Sequence, residues 1–197
     1  MPAITRDGSI ATVDEVSDGR AILVGGLSGA GAITTNSYAG TLTVGTGNAT
    51  STFSGVIGDT AGYALSLNKV GTGTLTLTGA NTFLGTVTVG TSVAAGGTVE
   101  FANANAFSGL TVWAGNVKVS GSLSNTGNIT LNSGATLVCG ATGGVNGNIK
   151  FSGTKTLSTA ANYTFAGSAA QVTGSLLPAT VNTLTINNAN GVTLSGS

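Results

Sequence analysis

The chain has 197 residues, among them 33 glycines, 2 prolines, 6 lysines and arginines, 6 aspartates and glutamates, and no histidine. Charged residues make up 6% and the formal net charge is +0. The chain therefore lacks the surplus of Lys and Arg that displaces counterions from phosphates, and no nucleic-acid partner is expected. Without His there is no Ser-His-Asp triad and no Cys-His pair, one Cys cannot build a structural zinc site, and no cofactor is expected.

A hydrophobic fraction of 41% is enough to bury a core, which separates the chain from disordered polymers. Glycine is frequent but follows no Gly-X-Y period, which excludes collagen. Mean hydropathy is +0.38. The longest clear aliphatic run, Ala21 to Val24, is far short of the ~20 apolar residues of a membrane span, so no transmembrane segment is expected. Thr5, Arg6, Asp7 and Gly8 stand where a signal peptide would be apolar, and the chain reads as a mature piece or an excised fragment.

In chain order, residues 1–20 come first and hold four of the six acids: Asp7, Asp14, Glu15 and Asp18. This segment reads as a polar N-terminal cap or linker that protects an open sheet edge. Its functional alternative is a hard-cation site in which Asp14, Glu15 and Asp18 supply carboxylate oxygens.

From residue 21 to residue 197 one pattern dominates. Apolar residues alternate with Thr, Ser or Asn: Leu42 and Val44; Tyr63, Leu65 and Leu67; Leu75 and Leu77; Val87 and Val89; Val99 and Phe101. The pattern continues through Leu110 and Val112, Val117 and Val119, Ile129 and Leu131, Ile149 and Phe151, Tyr163 and Phe165, Leu184 and Ile186, and Val192 and Leu194. Gly, Asn or Ser bounds each run, which is the signature of short strands and turns, and no segment holds a helical period.

Repetition decides between architectures. TLTVGTGNATSTF from Thr41, TLTLTGANTF from Thr74, NITLNSGATL from Asn128 and TLTINNANGVTL from Thr183 share a strand, turn and strand template. Phe-x-Gly recurs at Phe53, Phe83, Phe107, Phe151 and Phe165, the last interval being too short for a full rung and marking a short turn or a second corner. Both patterns predict an all-β fold, a right-handed parallel β-helix (β-solenoid) of about eight rungs and roughly 40 Å, with apolar interior columns. Scarce charge fits, because equivalent residues in adjacent rungs lie within ~5 Å of one another. The alternative is an antiparallel β-sandwich.

Within this frame, Cys139 shares an inward phase with Ala135 and Leu137 and reads as a buried structural thiol. Trp113 takes the outward phase after Leu110 and Val112. With Glu100 and Lys118 at neighbouring outward positions, it is the candidate ligand surface, a stacking platform for a sugar; the structural alternative is that it covers a loop. Outward Thr-x-Thr strands, at Thr41 and Thr43, Thr74, Thr76 and Thr78, Thr86 and Thr88, and Thr183 and Thr185, admit an ice-binding solenoid, although their spacing in sequence is irregular. Beyond residue 20 the only acids are Asp59 and Glu100, too far apart in sequence for the paired carboxylates of a glycosidase. No catalytic residue is assigned, and the chain is not expected to be an enzyme.

Leu67 to Phe101, with KVGTGTLTLTGANTFLGTVTVG from Lys69 to Gly90, resembles the autotransporter-associated β-strand repeat of bacterial passenger domains. LVGGLSGAGAITT from Leu23 and TFSGVIG from Thr52 are similar to what precedes that repeat, so the resemblance covers about residues 21 to 101. The stretch from Tyr163 to Ser197 resembles repeats of large secreted bacterial surface proteins. No autotransporter barrel is expected within these 197 residues. The resemblance implies a structural stalk or adhesin-like module, extracellular or on the bacterial cell surface and part of a longer repeat protein, with no catalytic residues to carry over. Expected partners are a glycan or cell-surface ligand and, because Gly191 to Ser197 still reads as a strand without a charged cap, other copies joined end to end through the C-terminal rung. The alternatives are an ice-binding solenoid, and a β-helical carbohydrate-active enzyme or phage-type glycan-binding fibre.

Overall fold

Alternation of Leu, Val, Ile or Phe with Thr, Ser or Asn sends successive side chains to opposite sides of a strand, and Gly or Asn then turns the chain. In the computed structural model, which describes residues 11–13, 21–35, 38–60 and 62–195, this pattern yields a parallel β-solenoid of about seven turns. The strands pair in parallel, each with its counterpart one turn away, which sets the antiparallel sandwich aside. The count falls below the expected eight because some turns are long. Leu42 pairs with Leu67, 25 residues on, and Leu123 with Ile149, 26 residues on.

One sheet of seven strands stacks Ser51–Phe53, Thr74–Leu77, Thr98–Phe101, Asn116–Val119, Thr136–Cys139, Asn162–Phe165 and Thr183–Ile186. A second sheet of nine contains Ala21–Val24, Gly40–Val44, Leu65–Lys69, Thr82–Val89, Asn105–Val112, Leu123–Asn125, Asn128–Leu131, Ile149–Phe151 and Lys155–Leu157. Its pairing shifts register between Phe107 and Gly109. Beyond that point the sheet divides: Leu123–Asn125 and Ile149–Phe151 continue the half before the shift, and Asn128–Leu131 and Lys155–Leu157 the half after it. The half before the shift is face one, the half after it face two, and the seven-stranded sheet face three. Ile33–Thr35 pairs with Ala11–Val13, inside the segment expected as a cap or linker, and reaches face one through a bridge from Ile33 to Ile57.

The core runs as columns along the rod. On face three Phe53, Leu77, Phe101, Val119, Cys139 and Phe165 follow one another in register and are buried. On face one Phe83 and Phe107 stack with centroids 5.3 Å apart, and Phe107 meets Phe151 at 5.6 Å. The Phe-x-Gly marker is thus two columns, with Phe53 and Phe165 on face three and the other three on face one. Each fully buried side chain of this size contributes about 1.5–3 kcal/mol.

At the corner between faces three and one, Asn81 and Asn105 are buried with their amides joined at 2.6 Å. Asn105 Oδ1 also accepts from the Asn81 backbone N–H, and Asn81 Oδ1 from that of Ile57. These side chains satisfy backbone donors where the ladder breaks to turn a corner, a need that water cannot meet in the interior.

Several sequence expectations are corrected. Tyr63 is 38% exposed rather than inward, because the tight bridge between Thr60 and Tyr63 breaks the alternation ahead of Leu65. Leu184 and Ile186 are 39% and 49% exposed. Their strand pairs only with Asn162–Phe165 among the described residues, so one flank of each side chain lies open. Leu194 is exposed and Val192 half-buried, again not the interior pair expected. A five-residue helix, Gly144–Asn148, sits between Thr136–Cys139 and Ile149–Phe151. It is too short to leave a period in the sequence, and it buries Val145 and Asn148.

Candidate functional site

Glu100 and Lys118 lie on adjacent strands of face three in direct register, as the alternation predicts. Lys118 Nζ is 2.7 Å from Glu100 Oε1, with both side chains reaching solvent. An ion pair of this kind on a surface is worth roughly 0–1 kcal/mol, and it neutralises the two charges within an otherwise uncharged outward row. Trp113 is 44% exposed and occupies the corner that follows Asn105–Val112, where its backbone N–H donates to Val89 at 3.0 Å. It enters no aromatic pair among the described residues. The structure thus joins Glu100 to Lys118 and leaves Trp113 as a separate outward ring. Asp14, Glu15 and Asp18 lie outside the described residues. Among those described, no group of three or more His, Cys, Asp or Glu is placed to hold a metal.

A second surface escaped the sequence reading. Tyr38 and Tyr63 both stand exposed at the corner between faces one and two, with ring centroids 6.4 Å apart and planes inclined by 45°. The signal was present: they are 25 residues apart, the same interval that pairs Leu42 with Leu67. Threonines fix the backbone beneath them. Thr35 Oγ1 donates to the Tyr63 carbonyl at 2.5 Å, and Thr60 N–H donates back to Thr35 Oγ1 at 3.2 Å.

Next to this ridge, Asp59 accepts the backbone N–H of Leu65 at 2.6 Å on one oxygen and that of Leu84 on the other. Asp59 ties two successive turns of the corner together. It also borders a shallow groove of about 310 Å³ lined by Asp59, Thr82, Phe83, Leu84, Ala106 and Asn125. Exposed aromatic rings beside a groove edged by the committed Asp59 carboxylate and lined by the Asn125 amide and the Thr82 hydroxyl form an amphipathic surface.

Two interior groups remain. Cys139 is fully buried, and desolvation pushes its thiol up to about 12, so it is not a nucleophile at neutral pH. Lys69 follows Leu65 and Leu67 in the inward phase and is also buried. Its Nζ donates to the carbonyls of Val70 at 2.6 Å, Gly71 at 3.2 Å and Gly96 at 3.1 Å. Alternation alone places Lys69 in the inward phase of its strand.

Compared with protein-family models, with characterised proteins and with solved structures, the chain matches none. No helix among the described residues is long and apolar enough to cross a membrane.

Proposed function

We propose that the chain is a rigid solenoid module of an extracellular or cell-surface protein, a stalk that also carries an adhesive side surface. The observation that supports this most is the continuous parallel ladder on face three, in register from Ser51–Phe53 to Thr183–Ile186. Each rung hydrogen-bonds to the next, so a load along the rod is shared between turns, and stability adds turn by turn. Chemistry concentrated at one deep pocket would distinguish an enzyme. Here Asp59 is committed to two backbone amides and Glu100 to Lys118, on different parts of the surface.

The adhesive surface in this reading is the Tyr38 and Tyr63 ridge with the Asp59 groove, where pyranose C–H faces stack on the rings and sugar hydroxyls meet Asn125 and Thr82. A glycan array probed with the protein and with a Tyr38→Ala/Tyr63→Ala double variant tests it. Retention of a defined set of glycans that the double variant loses is the expected result. An array on which the parent retains no glycan overturns the adhesive reading.

A further inference from the structure

We infer that the outward surface of face two is an ice-binding plane. Pairing in register brings Thr43, Asn68, Thr88, Thr111, Thr130 and Thr156 into one column across six successive turns. Two residues earlier on these strands runs a second column, with Thr41, Ser66, Thr86, Gly109 and Asn128. The intervals separating these residues in sequence are uneven. The solenoid removes the unevenness by looping surplus residues out at the corners, so an irregular sequence becomes a regular array.

Strand geometry sets the repeat of that array at about 4.8 Å along a column and about 6.6 Å between the two columns. Low-index planes of ice repeat their water oxygens at comparable distances in two directions. Each threonine presents a hydroxyl that bonds one water and a methyl that seats a neighbouring one. β-Branching leaves the side chain few rotamers, so little conformational entropy remains to be lost when an ordered water layer forms on it.

Two further observations single out this face. The hydroxyls of Thr43, Thr88, Thr111, Thr130 and Thr156 enter no hydrogen bond among the described residues. In the second column Ser66 Oγ and Asn128 Oδ1 accept the backbone N–H groups of Thr86 and Thr154, whereas on face three outward side chains bond one another, Asn116 to Thr98 and Asn162 to Thr136. Face two also carries no charged side chain in either column, whereas face three carries the Glu100 and Lys118 pair. A charge holds its own hydration shell and breaks an ice-like layer, so face two is the surface suited to a water lattice. This inference stands apart from the adhesive reading and uses none of its residues.

Thermal hysteresis and ice-crystal shaping, measured on the purified protein at millimolar concentration, test it. Faceted ice crystals and a freezing point held below the melting point are expected for the parent protein. Thr111→Tyr and Thr88→Lys, each placed in mid-column, should abolish both effects, while Thr164→Tyr on face three should leave them intact. Thermal melting of each variant verifies that it is folded. Should Thr111→Tyr melt early, Thr88→Lys gives the same reading. A parent protein that neither shapes ice nor shows hysteresis overturns the inference, as does loss of activity in Thr164→Tyr with none in the face-two variants.

Discussion

The side-chain amine of Lys69 donates to the carbonyl oxygen of Gly96, one turn further along the solenoid, at 3.1 Å. Lys69 stands between Val44 and Val89 in an interior column that is otherwise aliphatic. Its four-carbon stem packs like its neighbours, while the ammonium reaches the corner between faces two and three and satisfies carbonyls of two turns. Burying a cation without a counterion is tolerable only because those oxygens replace its water.

Truncation should therefore remove packing and bonding together. Lys69→Ala is expected to lower unfolding free energy by about 3–5 kcal/mol, and Lys69→Met, which refills the column, by about half as much. Urea denaturation of the two variants measures both. An alanine variant as stable as the parent would mean that the corner does not depend on this amine.

Lys69 also predicts a dependence on pH. Burial lowers its amine from the ordinary value of 10.5. Between the lowered value and 10.5 the unfolded chain binds the proton more strongly, so this group's contribution to stability rises with pH and falls as the amine becomes protonated. The stability of the parent relative to Lys69→Met should increase as pH is raised toward 10.5. A difference that stays constant over that range would contradict the buried cage.

Cys139 and Tyr163 give the opposite slope. Desolvation raises the Cys139 thiol from 9.0 to about 12. The Tyr163 hydroxyl, which donates to the Ser158 carbonyl at 3.2 Å, rises from 10.0 to about 12 through desolvation first and the nearby thiol second. The folded chain holds these protons more tightly, so the stability they contribute is complete below pH 9.0 and is lost as pH climbs toward about 12. Cys139→Ala should flatten that alkaline loss. In the native protein Cys139 should also resist thiol reagents at neutral pH and react only on unfolding; rapid stoichiometric labelling would show that the interior is open.

Position along the rod should set the cost of a buried charge. Leu77→Asp places a carboxylate in a fully enclosed column and is expected to cost about 4 kcal/mol or more. Leu184→Asp, in the last strand of face three and already 39% exposed, should cost about 1 kcal/mol. Equal melting temperatures for the two variants would mean that the register of face three is wrong.

Asn105 anchors the corner ladder, and Asn105→Ala strands the backbone N–H of Asn81 and leaves the Asn81 side-chain amide only the Gly79 carbonyl. A loss of about 2–3 kcal/mol is expected, with hydrogen exchange at the Asn81 amide accelerated. Exchange unchanged from the parent would refute the ladder.

The sequence by itself determined the class of the fold and the inside and outside of most strands. Alternation is a local property: once Leu75 and Leu77 point inward, Thr74 and Thr76 point outward, whatever lies next to them. The same logic placed Glu100 and Lys118 on one surface and Cys139 in the core, and it carried Lys69 inside. Which turn stacks on which was decided only in three dimensions, because register depends on how many residues each corner loops out, and corners here follow no fixed length. The tertiary structure therefore decided that Tyr38 meets Tyr63, that Asp59 ties Leu65 to Leu84, and that the threonines of face two fall into line. It also decided where alternation stops meaning burial: Leu184 and Ile186 keep the inward phase, yet a side chain is enclosed only when another turn lies on each side of it.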